Sequence, residues 1–174
     1  QTRLVLILSA VLILAGTLLF LVLEPHVAFA SPRGLLNAFF TSVSARTAGF
    51  NSIDIAALSV PMCIILMALM FIGASPGSTG GGIKTTTAAI LFVSIKSILL
   101  GKKKVDIFQR NIPFVVLNRA LTIFCTSILL LGLVTLVLSV TESAPLVDIL
   151  FEAVSAFATV GLSRGLTPEL SLIG

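Results

Sequence analysis

The chain has 174 residues, 57% of them hydrophobic and 10% charged, with a net charge of +4. Soluble domains carry nearer ~25% charged residues, so a soluble fold is excluded and a multi-pass protein of the cell membrane is expected. Cys63, Cys125 and the lone His26 show no CxxC or CxxH spacing, so no zinc, haem or nucleophile-base constellation can be assembled from them.

Leu4 to Leu23 is a run of 20 uncharged residues between Arg3 and Glu24, the length that a spanning helix needs. Glu24 to Arg33 is a polar connector. A short helix is expected over 34–45, with Ser31 as capping hydroxyl and Pro32 in its first turn. Twelve residues make about 18 Å at ~1.5 Å per residue, well short of a hydrocarbon core of roughly 30 Å. Such a helix dips into the membrane and turns back. It closes on the loop 46–52, which reads Arg46-Thr47-Ala48-Gly49-Phe50-Asn51-Ser52, and Asn51 to Ser59 leads out again.

Val60 to Ile72 is apolar but too short to span, and Ile83 to Leu100 is apolar apart from Lys84 and Lys96. Between them stand Gly73, Ala74, Ser75, Pro76, Gly77, Ser78, Thr79, Gly80, Gly81 and Gly82. Glycine costs a helix ~1 kcal/mol and proline ~3 kcal/mol, so 60–100 is expected to be one membrane segment broken in its middle. The stretch from Gly77 to Thr85 falls short of a phosphate-binding loop, because Ile83 separates Gly82 from Lys84 and an apolar helix precedes it where a strand is needed. On the residues alone it is a flexible kink with Lys84 reaching toward the inner interface. A hydrophilic link follows over 101–112, then a long apolar helix over 113–140, a second short helix over 145–156 introduced by Ser143 and Pro145, and a loop over 157–163.

The second half repeats the first. Phe40-Thr41-Ser42-Val43-Ser44-Ala45 aligns with Phe151-Glu152-Ala153-Val154-Ser155-Ala156 at an offset of 111, whereas Thr47-Ala48-Gly49-Phe50-Asn51 aligns with Thr159-Val160-Gly161-Leu162-Ser163 at 112. The second copy therefore carries one extra residue between helix and loop. Leu58-Ser59 again matches Leu170-Ser171. The organisation is one unit over 1–100, the link 101–112 and a partial second unit over 113–174. The chain starts without methionine and stops at Gly174, where a helix matching Val60 onward is due, so it is expected to be a fragment.

Arg3, Lys96, Lys102, Lys103, Lys104, Arg110 and Arg119 fall on the side of the link, against the single acid Asp106. That side is cytoplasmic by the positive-inside rule, and both re-entrant loops open outward, where Glu24, Asp54, Glu142, Asp148 and Glu169 outnumber Arg33 and Arg164. Irregular backbone at membrane depth must line a watery cavity or be buried in protein, so two such loops suggest a pore. Each short helix aims the negative end of its dipole at the membrane centre, and a Thr-x-Gly loop can turn carbonyl oxygens toward an axis. A dehydrated cation suits that arrangement. Arg46 and Glu152, beside the first loop and in the second short helix, are expected either to pair behind the loops and brace them, since a buried charge needs a partner, or each to find water or backbone separately.

Thr159-Val160-Gly161 matches the opening of the potassium-channel filter. The whole chain, from Ser44 to Asn51 and on through Gly73 to Thr85, resembles the Trk/Ktr/HKT family of potassium transporters, and most of all its Ktr membrane subunits. The resemblance implies an all-α membrane fold of repeated helix, pore loop and helix units as in potassium channels, with a broken second helix. Here these units correspond to the third and most of the fourth of four repeats. It implies a potassium uptake subunit that is channel-like and breaks no bond. Potassium would meet a filter from Thr47, Ala48, Gly49, Phe50 and Asn51 with Thr159, Val160, Gly161, Leu162 and Ser163, and Gly49 and Gly161 fill the third and fourth filter positions.

The resemblance further implies that the stretch from Gly73 to Gly82, with Lys84, is an intramembrane gate below the filter. It leaves sodium open as an activating or coupling ion. Implied partners are membrane lipid, a second copy in a homodimer and a cytosolic ring of nucleotide-binding regulatory subunits, with no nucleic acid. The basic link fits that ring and also ordinary inner-surface charge beside anionic lipid. A secondary cation transporter with alternating access is the rival reading, because broken helices and repeats occur there too.

Overall fold

The computed structural model describes residues 2–29, 33–101, 106–107 and 110–171. Seven helices follow in order: α1 (Thr2–Leu23), α2 (Pro25–Phe29), α3 (Gly34–Ser44), α4 (Val60–Phe71), α5 (Thr85–Leu99), α6 (Phe114–Thr141) and α7 (Leu146–Phe157). Only α1 and α6 are long and apolar enough to cross a membrane among the described residues. The helices α3 and α7, of 11 and 12 residues, are about 17–18 Å long. They are the two short helices of the repeated unit, too short to cross a membrane. The all-helical expectation holds, with a small addition in the link, where Asp106–Ile107 pairs antiparallel with Arg110–Asn111. Lys102, Lys103 and Lys104 lie outside the described residues.

Neither short helix has the cap that the sequence suggests. Arg33 stands at the cap position of α3, whose first turn receives no side-chain capping hydrogen bond, and Ser31 and Pro32 lie outside the described residues. Pro145 occupies the cap of α7, also without one. Ser143 thus sits two residues too early for its hydroxyl to reach the free amides of the first turn.

The core forms where the two units meet. The outer half of the broken segment, α4, packs between α1 and α7, while α7 also leans on α6. Phe20, Met62, Leu66, Met70 and Phe151 are all but fully buried there. The first unit is drawn tight at Gly16 of α1, where a Cβ would collide with the Ser42 hydroxyl and the Leu69 side chain. Ser42 Oγ uses this closeness to donate to the Ile13 carbonyl at 2.8 Å. Much of α6 is unpartnered, with Leu129 and Val140 exposed, as a lipid-facing surface is.

The duplication extends to a polar contact at the outer end of each unit. Glu24, just past α1, accepts the Ser59 amide at 2.7 Å, and Glu142, just past α6, accepts the Ser171 amide at 3.2 Å. Ser59 and Ser171 are equivalent positions in the repeat. Each long helix thus ends in a carboxylate that fixes the chain after the loop of its own unit.

Candidate functional site

The loops after α3 and α7 share left-handed backbone at equivalent residues, and the extra residue of the second copy is taken up by α7. Thr47 and Gly49 have φ of 69° and 73°, and Thr159 and Gly161 have φ of 53° and 91°. These are left-handed conformations that a threonine rarely adopts, and they recur at equivalent residues. The loop amides are turned back onto the helix ends: Ala48 and Gly49 N-H both donate to the Ser44 carbonyl at 3.1 Å, and Val160 N-H donates to the Ser155 carbonyl at 2.9 Å. Gly161 N-H donates to Ser155 Oγ at 3.2 Å. None of the described peptide bonds is cis, and in a trans peptide the carbonyl points opposite to the next amide. The carbonyls of Thr47, Ala48, Thr159 and Val160 therefore point away from the helices that carry them.

The two loops meet each other through this carbonyl face. A Cβ built on Gly49 would run into the Val160 carbonyl oxygen and stand 3.4 Å from Gly161 Cα. Glycine is required at Gly49 on two counts, its positive φ and this approach. Val160 and Leu162 send their side chains into the core, so only their backbone is free to serve an ion. Phe50 and Asn51 are exposed. Ser163 is engaged elsewhere, its hydroxyl donating to Glu152 Oε1 at 2.6 Å.

Ser44 and Ser155 were not singled out in the sequence, yet they occupy one repeat position and each supports its own loop. Ser44 Oγ donates to the Phe50 carbonyl at 2.5 Å, as Ser155 Oγ accepts from Gly161. Their coincidence at the offset of 111 was the available signal.

The glycine-rich break lies against both loops on the side of their threonines. A Cβ on Gly80 would meet Thr47 Oγ1 at 3.1 Å, and one on Gly81 would meet Thr159 Cγ2 at 3.0 Å and the Ala158 carbonyl carbon at 2.9 Å. Gly81 N-H donates to Thr159 Oγ1 at 2.6 Å, and Gly82 N-H to the Phe157 carbonyl at 3.4 Å. Within the break, Gly73 and Ala74 are buried, whereas Pro76, Gly77, Ser78 and Thr79 are exposed and Ser75 is half-buried. Lys84 does not reach for the inner interface. It folds back, donating from Nζ to the Ser78 carbonyl at 3.1 Å and the Gly80 carbonyl at 2.6 Å.

The expected pairing of Arg46 with Glu152 is not what the structure shows. Arg46 Nη2 donates to the Gly73 carbonyl at 3.4 Å, while its Nε is buried without a hydrogen-bond partner. Glu152 accepts from Ser163 Oγ, from Arg164 N-H at 2.9 Å and from Thr167 Oγ1 at 2.8 Å. Arg46 is drawn toward the break, whereas Glu152 faces the chain leaving the second loop.

Arg164 is a functional candidate that the sequence reading treated only as an outer charge. Its Nε binds Asp148 Oδ1 at 2.5 Å, and its Nη1 donates to the carbonyls of Ile55 and Leu58, each at 3.3 Å. It also touches the buried Cys63 sulfur. In the first copy Ser52 stands at its place.

Comparison with known proteins follows this geometry. The family model TrkH, cation transport protein, matches residues 2–174. The chain is 42% identical over 180 residues to the Ktr system potassium uptake protein B of Vibrio alginolyticus, across 98% of this chain and 39% of that one. It is 42% identical over 182 residues to the potassium/sodium uptake protein NtpJ of Enterococcus hirae, across 100% and 40%. The crystal structure of the potassium transporter TrkH from Vibrio parahaemolyticus shares the fold with a TM-score of 0.69 and 24% identity, over 92% of this chain and 35% of that one. The chain spans about two fifths of the length of the curated relatives it matches.

Proposed function

We propose a function from one premise: the chain belongs to the TrkH family of cation transport proteins, which are membrane transporters and not enzymes. The protein takes up potassium across the cell membrane as the channel-like, multi-pass subunit of an uptake system. Residues 47–51 and 159–163 are two of its filter segments, and potassium is the cargo that passes them. One observation carries this reading. Two loops from separate units turn their amides inward to their own helices and their carbonyls outward, and they meet at Gly49 and Gly161. Such oxygens can replace a cation's hydration shell. The membrane potential then favours inward movement by ~2.3 kcal/mol per charge per 100 mV.

The break from Gly73 to Gly82 acts as the gate. Its contacts with Thr47 and Thr159 support this role, since a segment there obstructs an ion leaving the filter. Lys84 fastens the gate in its closed form. Arg46 and Glu152 support the filter separately, the first through the break and the second through Ser163 and Arg164. Lipid, a second copy and a cytosolic nucleotide-binding ring are the partners, and sodium acts as an activating or coupling ion.

The test is potassium and rubidium flux into liposomes holding the whole protein, with sodium as competitor. Saturable flux that selects potassium supports the reading. Flux without such selection overturns the filter assignment, and flux locked stoichiometrically to a counter-ion at all potentials favours alternating access.

A further inference from the structure

The side chain of Arg164 reaches partners that the proposed filter and gate do not use. Arg164 leaves the second loop two residues beyond Leu162, yet most of its partners belong to other segments. Its backbone amide rests on Glu152 of α7, and its side chain is only 13% exposed. The guanidinium takes Asp148, near the start of α7, on one edge. On another it takes the carbonyls of Ile55 and Leu58, 109 and 106 residues away in the chain. Those two carbonyls belong to the turn that the first loop enters after Asn51, where Leu58 N-H also returns to the Ile55 carbonyl at 3.3 Å. The exit of one loop is thereby tied to the exit of the other.

Only a planar donor with several directed N-H groups can serve a carboxylate and two carbonyls at once. Lysine carries its three donors on one compact nitrogen and cannot present two separate edges in this way. The charge is compensated by Asp148, so the site presents no net repulsion to an approaching cation. Its effect is geometric.

We infer that Arg164 is a positioning residue for ion selectivity: it locks the outer ends of the two pore loops together, so that their carbonyl oxygens keep a common spacing. This rests on the filter reading above. A filter distinguishes potassium from sodium only while its oxygens hold their geometry against the smaller ion or keep their number around the larger one. Loosening one exit from the other removes that constraint without removing any oxygen.

The experiment uses the whole protein in liposomes and measures the ratio of potassium to sodium uptake for wild type, Arg164→Gln, Arg164→Lys and Asp148→Asn. The expected result is a fall of about tenfold in the ratio for Arg164→Gln, which is about 1.4 kcal/mol of lost discrimination. Arg164→Lys falls by a smaller factor, although its charge is unchanged, and Asp148→Asn falls in the same direction. An electrostatic role has the opposite signature. Arg164→Gln then leaves Asp148 uncompensated, raises uptake of both ions at low ionic strength and keeps the ratio, while Arg164→Lys matches wild type. That pattern overturns the inference, as does an unchanged ratio in Arg164→Lys should Arg164→Gln fail to insert. A wild type with no potassium selectivity overturns the filter reading itself, independently of the variants.

Discussion

Gly81 donates its amide hydrogen to the Thr159 hydroxyl at 2.6 Å, which fastens the middle of the broken helix to the head of the second pore loop. Thr159→Val keeps the shape and removes the acceptor, which costs about 1 kcal/mol. Hydrogen exchange at the Gly81 amide should then speed up about fivefold. Deleting Ala74 to Gly81 is the larger version of the same change. It should raise potassium flux and reduce its dependence on the regulatory partner, with selectivity kept. Reduced flux in a correctly inserted deletion mutant would show that the break supports the pore.

Gly49→Ser and Gly161→Ser should both weaken selection of potassium over sodium, but unequally. Both glycines have positive φ, which costs a side chain roughly 1–2 kcal/mol. At Gly49 the new Cβ also strikes the Val160 carbonyl oxygen, whereas at Gly161 its nearest neighbour is Gly49 Cα at 3.9 Å. The Gly49 variant should therefore lose more selectivity in sodium-competition flux. Equal losses would remove the loop-to-loop contact as the reason.

Exchanging Arg46→Glu with Glu152→Arg should not restore flux, since the two side chains have separate partners. Glu152→Gln alone weakens charge-assisted hydrogen bonds worth about 1.5–3 kcal/mol each. Lower thermal stability with lower selectivity is the expected result. A double mutant that recovers flux would reinstate the pairing.

Lys84→Met removes the ammonium from the carbonyls of Ser78 and Gly80 while retaining an apolar stem. Flux at saturating potassium should rise, by less than in the deletion, and the apparent affinity should hold. A loss of flux would mean that Lys84 stabilises an open arrangement.

The sequence revealed the architecture through properties that are local. Two charge-free runs, two helices too short to cross and ten residues rich in glycine each state their own character, and the shift of the offset from 111 to 112 located the extra residue beforehand. Side-chain partners were less legible, because they depend on the path of a loop in space. Arg46 and Glu152 looked like a pair on charge alone, yet the Gly73 carbonyl holds the first, while Ser163, the Arg164 amide and Thr167 hold the second. Arg164 gave no repeat signal, since Ser52 stands at its place, and its acceptors are backbone carbonyls that no residue type announces. Glu24 and Glu142 do form an equivalent pair, but their alignment with Ser59 and Ser171 emerges only once the helices are laid side by side.

The Phe157 carbonyl at the end of α7 receives the Gly82 amide at 3.4 Å, and the Phe157 ring stacks on Phe71, where α4 ends, at 6.1 Å between centroids. Both copies therefore hold the break, the second at Gly81, Gly82 and Phe71 and the first with Thr47 beside Gly80 and Arg46 on the Gly73 carbonyl. Whatever displaces the break must therefore release both loops together, as a keystone comes away only from two abutments at once.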